Sequence, residues 1–270
     1  MTRSKALVGM PAADPPEAAV GAPVAGDTGS HRIIDSFVPA AAQRVRVYVW
    51  QVPVRITHWT IVLSVAVLSL TGAYIADPFL VPPGGSFMAG MRALHLLFAF
   101  VLVAAGLFRT YWLFAGNRFA HWRAFVPTNR AQLEEVVRQT AWYLFLRPQP
   151  PRVLGHNQLA AGTYLVVFVL LGLQTVTGFG LMGIHGMEPW ATLFGWFVEL
   201  VGVQWVRLIH HLLMWAILAF LVHHVYAAVL VDHWERNGLL SSIITGYKFA
   251  TRAEVVEARD GGLEVEEHIE

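Results

Sequence analysis

The sequence contains no cysteine. That absence excludes disulfides, iron–sulfur clusters and thiolate metal sites from this chain, and leaves histidine and oxygen as the only metal ligands it can offer. Charge is scarce as well: Asp, Glu, Lys and Arg make up 14% of the residues, where an ordinary soluble domain carries roughly 25%. The formal net charge of +1 supplies no basic stripe to neutralise phosphates, which argues against a nucleic-acid partner. In place of charge the chain has apolar residues, 56% of its 270, with a mean hydropathy of +0.51. A large share of its surface must face something other than water.

The opening stretch MTRSKALVGMPAADPPEAAVGAPVAGDTGS is rich in Ala, Pro and Gly and lacks the long apolar core of a signal peptide. Residues 1–43 are therefore expected to form a mostly disordered tail. Beyond it, four apolar stretches are long enough to cross a bilayer, which takes about 20 helical residues. They lie at about 56–76, 92–115, 159–184 and 206–231. The fold expected is an all-α integral membrane four-helix bundle over 44–250, with an acidic tail over 251–270. Amphipathic interfacial helices are expected in the second connection (NRAQLEEVVRQTAWYLFLR) and after the last span (HWERNGLLSSIITGYKF).

Lysine and arginine bias gives the direction of insertion. Basic residues gather before the first span (Arg44, Arg46, Arg55), in the second connection (Arg118, Arg123, Arg130, Arg138, Arg147, Arg152) and after the last span (Arg236, Lys248, Arg252). The first and third connections have little beyond Arg92 and Arg207. Both termini are expected in the cytoplasm of a bacterial cell, with the chain a multi-pass protein of the inner membrane.

Twelve histidines are present, and a histidine inside a spanning helix is costly unless it pairs or ligates. His58 opens the first span, His95 opens the second, and the fourth contains His210, His211, His223 and His224. Helical phase selects among the last four. From 210 to 224 is 14 residues, about 1400°, within about 40° of whole turns; the other cross-pairs miss by about 120–140°. His210 and His224 share a face, with Cα atoms roughly 21 Å apart along the axis. One porphyrin cannot use both, but two stacked haems can. Matching depths across antiparallel spans pairs His58 with His224 near the cytoplasm and His95 with His210 near the outside. His211 and His223 are expected to be packing or hydrogen-bonding neighbours.

Haem propionates call for cations at the membrane edge. Arg55, Arg92 and Arg207 each stand three residues before one of these histidines, a position that equally suits arginines reaching from helix ends to the interface. Small residues near the helix ends (Thr71–Gly72, Thr177–Gly178, and Gly106 within the second span) would let a flat macrocycle approach the backbone, and are equally common in plain helix packing.

Taken together, VYVWQVPVRITHW, MRALH, RTYWLFAGNRF, WYLFLR, GHN and IHHLLMWAILAFLVHHVYAA resemble the b-type cytochrome subunit of membrane-bound nickel–iron hydrogenases. The similarity covers about residues 47–250 and extends to the cytochrome b subunit of formate dehydrogenase. It implies two haem b groups, with His58, His95, His210 and His224 as axial ligands. It also implies a partner, the large and small subunits of a hydrogenase outside the membrane, and a membrane quinone as electron acceptor. The chain would then be an electron-transfer subunit, not the hydrogen-activating one. His156 and Asn157 of GHN stand where the formate dehydrogenase relatives place an asparagine near the quinone, although Asn157 also suits a helix N-cap. The doubling of His at 210–211 and 223–224 departs from the family pattern. Alternatives are a subunit serving formate dehydrogenase or another periplasmic oxidoreductase and, from a different class, a histidine-containing membrane metalloenzyme or a transporter.

Overall fold

The computed structural model describes residues 44–79, 85–126, 130–148, 158–260 and 267–268, all within one compact unit, Ala40–Glu270. The tail expected over 1–43 lies outside the described residues, as do His156 and Asn157. Strand β1 (Arg44–Tyr48) leads into helices α1 (Val52–Ala76) and α2 (Gly85–Ala115), followed by α3 (Arg130–Tyr143) and α4 (Gln158–Gly183). Helix α5 (Trp190–Val201) precedes the longest helix, α6 (Val203–Glu235). The chain closes with α7 (Leu239–Thr245), β2 (Tyr247–Thr251), α8 (Arg252–Asp260) and β3 (Glu267–His268).

Among the described residues, α1, α2, α4 and α6 are long and apolar enough to cross a membrane, at the four places expected from sequence. Helices α1, α2 and α6 begin four, seven and three residues before the expected starts, and α6 runs four past its expected end, because polar and aromatic flanks continue the helix beyond its apolar core; α4 keeps within one residue of the expected ends. Only 11–22% of their most apolar windows is buried; residues such as Leu70, Leu107 and Val222 face outward. An apolar exterior around a thin interior is the arrangement of helices in hydrocarbon.

Local sequence explains the helix ends. Pro53 stands in the first turn of α1, where a missing N–H costs nothing and φ is already helical. Gly202, at φ +91°, ends α5 and begins α6. The four spans associate as two antiparallel pairs, α1 with α2 and α4 with α6. Thr71 near the end of α1 meets His95 near the start of α2, at 2.9 Å. At the opposite end Gln51 Oε1 accepts from Trp112 Nε1 at 3.0 Å and from the Asn117 amide at 2.9 Å. Across the two pairs, contacts run through rings: Phe100 meets Phe179 with centroids 5.7 Å apart.

The second connection is helical in α3, as its amphipathic pattern predicts. The segment after the last span departs from expectation: it gives only the short α7, then a strand. Arg-Val-Arg-Val-Tyr of β1 alternates polar and apolar residues, as a strand with one buried face does. It pairs antiparallel with β2 (Val47 opposite Lys248) and with β3 (Val47 opposite Glu267), giving sheet order β2-β1-β3. Gly246 makes the turn possible. It sits at φ +93°, and a Cβ there would lie 2.6 Å from Tyr48 Cε2. Its carbonyl accepts from the amides of Val49 and Trp50. Val47, Val49, Trp50, Val54, Phe119, Ala120, Ala250 and Val255 form a buried cluster beneath the sheet. Full burial of a valine or larger side chain contributes about 1.5–3 kcal/mol each. This cap joins the start of α1 to the chain beyond α6, so both flanks of the bundle meet at one end, the sheet end.

Candidate functional site

Four spanning histidines divide between the two ends of the bundle. At the sheet end, the first turns of α1 carry His58 and the last third of α6 carries His224. Their rings face each other across the two helix pairs, with centroids 6.4 Å apart and planes 53° apart. Phe220 stacks on His224 at 5.4 Å, one turn away on the same helix face. Tyr164 of α4 meets the same ring edge-on at 5.9 Å, and Trp59 meets His58 edge-on at 5.3 Å. His58 Nδ1 is buried and has no hydrogen-bond partner, although buried polar atoms are normally satisfied.

At the far end, α2 carries His95 and α6 carries His210, close enough to interact electrostatically. Each is held by the helix paired with its own. Thr71 Oγ1 of α1 lies 2.9 Å from His95 Nδ1, and Thr177 Oγ1 of α4 lies 2.9 Å from His210 Nδ1. The glycine after each threonine faces the same ring: a Cβ on Gly72 would stand 3.2 Å from His95 Cε1, and one on Gly178 3.2 Å from His210 Cε1. The amide of Gln174 lies 3.2 Å from His210 Nε2.

Whether these residues suit a haem iron can be tested on their geometry. Metal–imidazole bonds of about 2.0–2.1 Å, plus about 1.1 Å from nitrogen to ring centre, put two rings trans across one metal roughly 6.3 Å apart. His58 and His224 stand at that separation. At the far end the Gln174 amide occupies His210 Nε2, so ligation through that nitrogen requires Gln174 to turn aside. Among the described residues no cluster of three or more His, Cys, Asp or Glu forms a metal site, so a multi-ligand di-iron arrangement has no counterpart there. The neighbouring His223 is exposed and His211 half-buried; neither joins the ring contacts or hydrogen bonds above, though each interacts electrostatically with the histidine beside it.

The arginines take different positions. Arg55 Nη1 donates to the carbonyl of Ile244 in α7, while its Nε is buried without a hydrogen-bond partner. It borders a groove of about 490 Å³ with Val52, Trp59 and Ile243. Arg92 and Arg207 are exposed at the far end. Sequence reasoning passed over Arg109, which is buried at 8% exposure within α2. Its guanidinium lies 5.5 Å from the centre of the Phe125 ring, and Phe125 touches Tyr164 at 6.3 Å, the tyrosine beside His224. A lone arginine within a span is the signal that would have found it. It also passed over Gln139, 1% exposed, with Oε1 unpaired. Gln139 bonds Tyr143, whose phenol burial pushes above its ordinary pKa.

A family model described as prokaryotic cytochrome b561 matches residues 49–246. Curated relatives named "Probable Ni/Fe-hydrogenase B-type cytochrome subunit" include one from Cupriavidus necator, 37% identical over 74% of this chain and 86% of the relative. Another, from Azotobacter vinelandii, is 37% identical over 76% of this chain and 90% of its own length. The "Probable Ni/Fe-hydrogenase 1 B-type cytochrome subunit" of Escherichia coli K12 is 32% identical over 74% of this chain and 90% of the relative.

Proposed function

The chain belongs to the prokaryotic cytochrome b561 family, and from that premise we propose that it carries electrons through the membrane from a nickel–iron hydrogenase to quinone. Two haem b groups are its cofactors, and when bound they supply reversible one-electron oxidation and reduction. His58 and His224 hold the iron at the sheet end; His95 and His210 hold it at the far end. The observation that supports this most directly is the His58–His224 separation of 6.4 Å.

Other residues serve the same ends. Arg92 and Arg207 place cations beside the far-end histidines for the propionates, and Arg55 does so at the sheet end. Arg109 adds a buried cation on the sheet-end side of α2, behind Phe125 and Tyr164. The apolar residues of the four spans keep bulk water from the imidazoles.

Direction follows from charge. Arg44, Arg46, Arg118, Arg123, Arg236 and Lys248 collect at or near the sheet end, so that end faces the cytoplasm under the positive-inside rule. The far end then faces outward, toward the large and small subunits of a hydrogenase; the relatives' names mention a Ni/Fe-hydrogenase. Quinone is reduced at the sheet end, with His156 and Asn157 offered as donors to its carbonyls. This chain does not itself activate hydrogen.

The test is a haem-to-polypeptide ratio with a redox titration of the purified chain. Two haems at two potentials are expected. His95→Ala should remove the far-end haem alone, and His58→Ala the sheet-end haem alone. Protein without a Soret band, or with one haem that neither substitution affects, would refute the assignment. Hydrogen-dependent quinone reduction in membranes, lost on deletion of this chain and restored by returning it, tests the partner and acceptor.

A further inference from the structure

The far-end histidines share a feature that the sheet-end pair lacks. Thr71 Oγ1 lies 2.7 Å from the Val67 carbonyl, and Thr177 Oγ1 lies 2.8 Å from the Leu173 carbonyl, each four residues back on its own helix. A threonine hydroxyl has one proton to donate. Donated to the backbone, it leaves Oγ1 only as an acceptor toward the histidine 2.9 Å away. The histidine then presents Nδ1–H to the threonine, with the Leu68 and Gln174 backbones as further partners of His95 and His210, which leaves Nε2 without a proton; on His210 that nitrogen accepts from the Gln174 amide at 3.2 Å. The glycine that follows lies against the adjoining Cε1–Nδ1 edge of the same ring: a Cβ there would stand 3.2 Å from Cε1, tighter than ordinary contact, and the ring would be displaced.

We propose that Thr71–Gly72 and Thr177–Gly178 are matched clasps that set the tautomer and orientation of His95 and His210, and so tune the far-end haem selectively. The two threonines are positioning residues. They act through the imidazoles, and their role rests on the ligand assignment above. An Nδ1–H that donates to an oxygen makes the imidazole a more basic ligand, and hydrogen bonding around a haem is one determinant of its potential. A more basic ligand favours the oxidised iron, so the clasps hold the far-end potential down. At the sheet end His58 Nδ1 has no such partner, and the two sites consequently differ in potential.

The experiment uses the full-length protein with its haems. Thr71→Val and Thr177→Val keep the shape and remove the acceptor; Thr71→Ser and Thr177→Ser restore it. The expected result is an upward shift of the far-end midpoint potential in the Val variants, the sheet-end midpoint unchanged, and return to the native value in the Ser variants. A far-end midpoint unmoved in the Val variants overturns the clasp. Should a Val variant fail to accumulate, Gly72→Ala is read instead by electron paramagnetic resonance. Altered g-values of the far-end haem support the clasp, and an unaltered spectrum overturns it. His95→Ala separates the two claims: if it leaves the far-end haem bound, the ligand assignment fails and takes the clasp with it.

Discussion

His210 has a neighbour of the same type at 211, and His224 has one at 223, so the residue scale asks what distinguishes identical side chains one position apart. A step of one residue turns the side chain about 100° around the helix. That turn decides whether a ring meets Thr177 or His58, or lies on another face. His211→Ala should therefore leave both haems bound, measured as pyridine haemochrome per polypeptide; loss of a haem in this variant but not in His210→Ala would shift the register by one. Arg109 poses a different question, because a buried guanidinium in a span needs a partner that neutral substitutes do not. Arg109→Leu is expected to perturb the sheet-end haem's spectrum or quinone reduction and to leave the far-end haem intact. Equal disturbance of both haems would mark it as a general packing residue instead.

At the scale of elements, the cap is held by a few specific contacts. Trp50 Nε1 donates to Ser242 Oγ at 2.9 Å in a buried setting, linking the entry to α1 with α7. Ser242→Ala should lower thermal stability by about 1 kcal/mol, visible as a lower melting temperature in detergent with haem content unchanged. Lys248 of β2 is 4% exposed; burial lowers its pKa, and Glu235 and Asp232 offset part of that. A lysine whose folded pKa is depressed binds fewer protons folded than unfolded. Stability then rises with pH between the depressed value and the ordinary one near about 10.4. The melting temperature of the native protein should climb across that alkaline window, and Lys248→Met should flatten the climb. An identical pH profile in the variant would remove Lys248 from the account.

Over the whole molecule, the two helix pairs meet through rings instead of close backbone contact, and the ring pairs lie where the cofactors are proposed to bridge them. Cofactor binding to the folded chain alone adds stability by mass action. Protein produced under haem depletion is expected to melt at a lower temperature and to expose more backbone to hydrogen exchange at both histidine pairs. Equal stability with and without haem would mean that the pairs are joined by protein contacts alone.

Four spans, their order and the meeting of His58 with His224 were legible in the sequence, because hydrocarbon imposes length and composition on a helix and 3.6-residue periodicity fixes which side chains share its face. The β-cap was not, because β1 and β2 are five residues each and lie about 200 positions apart, so neither short strand announces its partner. Nor were the clasps fully legible. Thr-Gly near the end of two spans could be read as a place for a flat ligand or for plain packing, whereas the fold turns each threonine and glycine onto a histidine ring of the neighbouring helix. Periodicity within one helix is a local property that sequence carries by itself. Which side chains meet across helices depends on how the helices are paired and rotated, and only the tertiary structure decides that.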